Sequence, residues 1–281
     1  MHQQRLVFQR IASAITQAAA ALCLVFSLPT TSLNAQSQVP PLAGIAHVAI
    51  RVHDLAAARD FYAKLGFQEA FNLAKGGVVY ESFIKINDHQ FIELYPVTAK
   101  DPKAGFLHLC FEGDDLNAIH DDYASRGLTP TPVRKAGAGN LLFTMVGPEH
   151  QNIEYTQYMP GSLHYNDRGK HLDEDRIADR MVSVSLAMQD TAAARDFYIN
   201  QLAFKSIAGD PMFLHLPGDS GQEVEIAQAV LGSRAKMILE TKSLTKAAHL
   251  LHKQQITDTK IKNDLAVTDP DGNIILIEAR W

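Results

Sequence analysis

Four side chains stand out because their chemistry does not match their surroundings. His47 lies in Ile-Ala-His-Val-Ala-Ile, Glu93 in Phe-Ile-Glu-Leu-Tyr, His108 in Phe-Leu-His-Leu-Cys-Phe, and Glu154 in Asn-Ile-Glu-Tyr-Thr. Each stretch reads as a strand. A period of two then sets Val48, Ile50, Ile92, Leu94, Leu107, Leu109, Phe111 and Ile153 on the faces opposite the polar residues. Those apolar faces can pack under helices, which leaves the four polar side chains on the concave face of a curved sheet. Burying two carboxylates and two imidazoles together is costly unless something compensates. One divalent cation would balance both carboxylates and accept the imidazole nitrogens, and a His and Glu set suits zinc, nickel, cobalt, manganese or iron(II). Taken singly, each residue has an ordinary reading: a strand His is usually a hydrogen-bonded core residue, and a strand Glu an edge charge. The conjunction carries the inference.

The elements that must position these residues come from a repeat. Ala56-Ala57-Ala58-Arg59-Asp60-Phe61-Tyr62 recurs as Ala192-Ala193-Ala194-Arg195-Asp196-Phe197-Tyr198, each copy following an Asp (Asp54, Asp190) by one residue. In each copy an alternating segment (Ile45 to Val52, Met181 to Met188) predicts a strand, and the Asp then caps a helix whose Ala-rich start favours it. Gly66 suits the end of the first helix. Further strands fit Val78 to Ile86 and Gln90 to Tyr95, with Asn87 and Asp88 at the turn. The unit recurs within each half, as Gly105 to Phe111, Asp115 to Arg126 and Leu141 to Tyr155, and as Ala235 to Leu239, Ser243 to Lys253 and Ala266 to Ala279. The expected fold is α+β: four βαβββ units in two tandem modules, each a curved, cupped mixed sheet with helices outside. The modules span residues 43–158 and 181–281, and the polar stretch 159–180 reads as a linker over the surface.

The chain resembles the vicinal oxygen chelate superfamily, which includes glyoxalase I, methylmalonyl-CoA epimerase, extradiol dioxygenases and the fosfomycin and bleomycin resistance proteins. The resemblance rests on the His47 strand leading into Asp54 to Tyr62 and Leu65-Gly66-Phe67, on Ile92-Glu93-Leu94 and Leu107-His108-Leu109, and on Pro148 to Glu154. Asp269-Pro270-Asp271-Gly272-Asn273 running to Glu278 is a similar signal in the second half. The likeness implies that His47, Glu93, His108 and Glu154 are the four ligands of one divalent metal, in a lyase or isomerase acting on a small oxygen-chelating substrate. Either Glu93 or Glu154 would then be the base. It also admits a non-haem iron dioxygenase using His47, His108 and Glu154, or a non-catalytic small-molecule binder of the resistance type. Tyr80, Tyr95 and Arg51 approach the concave side as candidate substrate contacts.

The second half departs from this pattern. Aligning the repeats sets Ser183 opposite His47 and Lys236 opposite His108, with Glu225 and Glu278 opposite Glu93 and Glu154. Ser is a poor ligand and an ammonium opposes a cation. This half is therefore expected to be a structural partner or pocket wall, with Lys236 paired to Glu225 or Glu278. Pairing of neighbouring units gathers the quartet around one point, whereas pairing the first unit with the fourth would split it; a domain-swapped dimer could also reunite it, but the second half supplies an internal partner. The expected chain is a monomer or homodimer with one metal cavity, inside residues 43–158.

Composition sets the remaining bounds. The 281 residues are 46% hydrophobic and 20% charged, enough for a normal core. A net charge of −5 with no basic stripe argues against nucleic acid. Residues 1–35 carry only Arg5 and Arg10 as charges, an apolar run from Ile11 to Leu28, Pro29, and a small residue at Ala35. That is the pattern of a cleaved export signal and predicts a periplasmic or secreted protein. Cleavage removes Cys23, so Cys110 has no internal disulfide partner, and the mature body, at −7, is no binder of anionic membranes.

Overall fold

A computed structural model describes residues 39–230 and 234–279. The predicted export signal lies outside the described residues. The first module runs β1 (Gly44–Val52), α1 (Leu55–Lys64), β2 (Glu69–Lys75), β3 (Val78–Lys85), β4 (Phe91–Pro96), β5 (Gly105–Glu112), α2 (Leu116–Ser125), β6 (Arg134–Lys135), β7 (Leu141–Val146) and β8 (Asn152–Gln157). A short helix, α3 (Leu163–Asn166), follows. The second module runs β9 (Arg180–Met188), α4 (Thr191–Asp196), β10 (Lys205–Ile207), β11 (Asp210–His215), β12 (Glu223–Gln228), β13 (Lys236–Thr241), α5 (Leu244–Lys253), β14 (Thr259–Ile261), β15 (Asp264–Thr268) and β16 (Ile274–Ala279).

Each module closes its own eight-stranded sheet, in the orders β2-β3-β4-β1-β5-β8-β7-β6 and β10-β11-β12-β9-β13-β16-β15-β14. Neighbouring units pair, as gathering the quartet requires. In both sheets the central pair is antiparallel (β1 with β5, β9 with β13) and is flanked by parallel pairings (β1 with β4, β5 with β8; β9 with β12, β13 with β16).

The helix starts follow from their caps. Asp54 accepts from the amides of Ala56 and Ala57, and Asp190 from that of Ala193. The two copies then diverge by one residue: Tyr62 precedes Leu65-Gly66-Phe67, whereas Tyr198 precedes Leu202-Ala203-Phe204 with one more residue between. A π-helical turn over Phe197–Gln201 absorbs the insertion. The chain then leaves at Ala203 with φ 61°, where the first copy uses Gly66 at φ 84°.

The convex faces of both sheets share one apolar core, with Val48, Ile50, Leu109, Phe111, Val184 and Met237 all buried in it. The repeated tyrosines fasten the modules reciprocally. Tyr62 donates to Asp269 of the second module, and Tyr198 donates to Gln151 of the first.

The stretch 159–180 corrects the expectation of a surface linker. Ser162, His164, Asp167, Ile177 and Ala178 are buried. The reason lies in Lys85, a fully buried cation at the end of β3 that needs a counter-charge. Its ammonium contacts the Asp167 carboxylate at 2.8 Å, the Asp167 carbonyl at 2.6 Å and Asp88 at 2.8 Å. That anchor holds α3 against the concave side of the first sheet.

Candidate metal centre

The four central strands of the first sheet carry the four residues singled out by sequence. In register, Ala49 of β1 lies between Glu93 of β4 and His108 of β5, while His47 lies between Phe91 and Cys110. Cys110 in turn stands beside Glu154 of β8. A register shift between Ile45 and His47 lets both Ala46 and His47 serve the concave side: Ile45 joins the convex core, and Ala46 packs with Phe91 and Cys110.

His47 is the hub. Its Nε2 is 3.0 Å from Nε2 of His108 and 3.6 Å from Oε1 of Glu154, and its Nδ1 is 3.1 Å from Oε1 of Glu93. Two overlapping triads result, His47 with Glu93 and His108, and His47 with Cys110 and Glu154. Among the described residues no Lys or Arg forms an ion pair with Glu93 or Glu154.

Electrostatics follow from that isolation. Burial pushes the Glu93 carboxyl well above its usual range, with Glu81 and Glu154 adding to the effect. Burial likewise pushes Glu154 up to about 7. His47 is held well below the usual imidazole value by burial and then by His108, and burial takes His108 down to about 4. Neutral imidazoles with open lone pairs thus face carboxyls that are costly to ionise without a cation.

These residues fit a divalent metal. The Nε2 to Nε2 separation of 3.0 Å matches two nitrogens at right angles about 2.1 Å from a common ion. His47 Nδ1 is buried without a hydrogen-bond partner although Glu93 lies near, because the oxygen is out of line with the ring. Such a donor set supports a metal better than it supports an internal hydrogen-bond network.

Of the three candidate substrate contacts only Tyr95 joins the site. Its hydroxyl is 2.6 Å from Glu81 and 3.0 Å from Glu93. Tyr80 is exposed, and Arg51 turns outward toward Asp101. Sequence reasoning passed over Glu81 and Cys110. Both carried a signal: Cys110 is two residues beyond His108, and Glu81 two before Phe83, which pairs with Glu93. His164 had no local signal. Its buried ring stacks on Tyr158 at 4.5 Å and meets the rings of Phe71, Phe83 and Phe91 edge-on.

The second module confirms the divergence and corrects one alignment. Ser185 lies between Glu225 and Lys236 as Ala49 lies between Glu93 and His108, and Lys236 pairs with Glu225. Ser183 lies between Glu223 and Ile238, the His47 position. Ile238, however, stands beside Leu276, so Leu276 and not Glu278 occupies the place of Glu154. Glu278 sits two residues on, opposite Glu240, as Thr156 sits opposite Glu112. Of the quartet only Glu93 has a like residue at its counterpart, Glu225.

The family model of the Glyoxalase/Bleomycin resistance protein/Dioxygenase superfamily matches residues 44–155, which hold the whole quartet. The match covers the first module and stops short of the second. No curated protein matches the sequence. Among solved structures, the fold is similar to that of the Mn(II)-bound glyoxalase of Novosphingobium aromaticivorans, at TM-score 0.66 and 15% identity over 85% of this chain and 82% of that one. The 2,3-dioxygenase LapB of Pseudomonas sp. KL28 aligns at 0.62 and 13% identity, covering 86% and 93%. Homoprotocatechuate 2,3-dioxygenase of Arthrobacter globiformis aligns at 0.62 and 16% identity, covering 86% and 81%. At such identities the likeness is one of fold, extending over both modules.

Proposed function

We propose that the first module is a single-metal enzyme that moves a proton on a small oxygen-chelating substrate, in lyase or isomerase chemistry. The observation that carries this is the meeting of His47, Glu93, His108 and Glu154 on one concave face, with neither carboxylate paired to Lys or Arg among the described residues. Those four side chains would hold the ion. A divalent cation there supplies Lewis-acid polarisation of a substrate oxygen.

The surroundings of the two carboxylates favour Glu93 as the base. Glu93 has the Tyr95 hydroxyl on its Oε2, and that hydroxyl also reaches the partly exposed Glu81. A proton taken by Glu93 from a substrate carbon would thus have an onward acceptor. Glu154 has the Cys110 thiol beside it instead, itself held protonated by burial. Glu93 is therefore the base, and Tyr95 positions it.

One feature favours a second reading. His108 and Glu154 approach Nε2 of His47 while Glu93 approaches Nδ1; a two-His, one-carboxylate set drawn from His47, His108 and Glu154 would leave Glu93 aside, as suits an iron(II) dioxygenase acting on a catechol. Metal analysis of the purified chain, with isomerisation and oxygen-uptake assays on wild type and Glu93→Gln, separates the two. Proton transfer predicts one metal per chain, no oxygen uptake, and loss of turnover in Glu93→Gln. Oxygen uptake with a catechol that survives Glu93→Gln would overturn it. We further propose that the protein is exported and cut after Ala35; N-terminal sequencing of the cell-fractionated product tests this.

A further inference from the structure

The registers that identify equivalent residues also identify equivalent space. In the first sheet, the concave region over Phe83, Phe91 and Cys110 is filled by the ring of His164, delivered by α3 and backed by Tyr158. The corresponding positions of the second sheet are Phe213, Glu223 and Ile238. No counterpart of α3 lies over this region among the described residues. A cavity of about 350 Å³ remains, lined by Ser183, Phe213, Glu223, Ile238, Glu240 and Glu278. That is the lower end of the size range of small-molecule sites.

Two observations point to an occupant. Ser183 is 2% exposed and lines the cavity, yet its hydroxyl has no hydrogen-bond partner. The wall is also one-sided in charge. Asp210, Glu223, Glu240 and Glu278 face Arg180 as the cation among the lining residues, and the Arg180 guanidinium donates to the Ser220 carbonyl at the cavity's edge. Burial followed by neighbouring acids raises the carboxyls of Glu278 and, despite His215, of Glu223. A bound metal is disfavoured: among the described residues, the groups of three ligand atoms close enough to share an ion are those of the first module. Spread carboxylates around the apolar side chains of Phe213 and Ile238 suit a flat cation with delocalised charge instead.

We infer that the cup of the second module is a binding site for a small organic cation bearing a ring, such as an amidinium or imidazolium. The ring takes the place over Phe213 that His164 takes over Phe83. Its N–H groups meet Glu223 and Glu278, and the Ser183 hydroxyl completes the polar contacts. The metal centre of the first module plays no part in this.

Calorimetric titration of the full chain, with and without chelator, tests the inference using benzamidine, its neutral isostere benzamide, and benzoate. Benzamidine is expected to bind, with benzamide and benzoate at least about tenfold weaker. Glu223→Gln and Glu278→Gln should each weaken benzamidine by about tenfold or more, two independent variants in case one does not fold. Chelation should leave its affinity unchanged. Failure of benzamidine to bind, equal binding of benzamide, indifference to both substitutions, dependence on metal, or displacement by calcium would each overturn the site.

Discussion

His108→Lys would give the first module the second module's arrangement, in which Lys236 stands at the His108 position and pairs with Glu225, the counterpart of Glu93. In the metal-free wild type, Glu154 titrates near 7, against an ordinary carboxyl value near 4.5. That displacement corresponds to about 3 kcal/mol against the ionised form. The sign follows from the raised value. Protonation favours the folded state, so stability is highest below the unfolded value of about 4.5 and is lost as pH rises to about 7. Glu93 is displaced in the same direction. An ammonium between these carboxylates removes much of that cost, less its own desolvation in a place where His108 is only 9% exposed.

Chelator-treated His108→Lys should therefore melt above chelator-treated wild type at about pH 8, by roughly 2–4 °C for each kcal/mol regained. Near pH 5 the gap should shrink, because Glu154 of the metal-free wild type is then protonated and no longer carries that cost. Metal analysis should fall from one ion per chain to none, and added metal should no longer raise the melting temperature. Wild type should gain about 2.7 kcal/mol at a hundred times its Kd. The reasoning is refuted if the variant keeps one metal, or if it melts below metal-free wild type at the higher pH.

Metal affinity measured by competition with a chromophoric chelator should weaken as pH falls below about 7, where Glu154 takes up a proton, by up to about tenfold per pH unit. It should weaken further near 4, as His108 protonates; a flat profile would remove Glu154 from the ligand set. Lys85→Met leaves Asp167 buried without its ammonium and should cost about 3–5 kcal/mol in urea unfolding. Lys85→Met with Asp167→Leu should recover most of that, and residues 159–171 of the single variant should become open to proteolysis. Gly66→Ala forces a Cβ to 2.4 Å from the Arg176 Cα at φ 84° and should destabilise by more than about 2 kcal/mol. Ala203→Gly, at φ 61° in the other copy, should stabilise by about 1 kcal/mol. Equal and opposite effects are not expected, because only Gly66 meets foreign backbone.

The sheets and their pairing were legible because alternation and repetition are local signals. His47, Val48 and Ile50 declare two faces within a few residues, and the Asp caps recur with their helices. What escaped depended on distance or on register. β2 is half-exposed and short of apolar alternation, so its pairing with β3 supplies what its sequence does not. α3 gives no local sign that His164 and the adjoining Asp167 turn inward, and the buried ammonium of Lys85, remote in sequence, accounts for Asp167. Glu278 misled because its motif resembles the first half's while its strand begins two positions earlier relative to the bond pattern.

The two modules show how one fold answers the same problem twice. A concave face built from central strands leaves a few positions that cannot be filled by apolar packing from within the sheet. In the first module the strand centre keeps ligand-type side chains at all of those positions, while α3 seals the adjoining region with an aromatic ring. In the second, Lys236 neutralises Glu225 at the centre. The adjoining region then keeps its opening, lined by acids where the first module has Phe91 and Thr156. The substitutions are coupled physically: an ammonium at Lys236 excludes a metal, and Glu223 and Glu278 would be untenable beneath a seal of aromatic rings. The register of β13 with β16 decides this, because it sets Glu278 opposite Glu240 and Leu276 opposite Ile238.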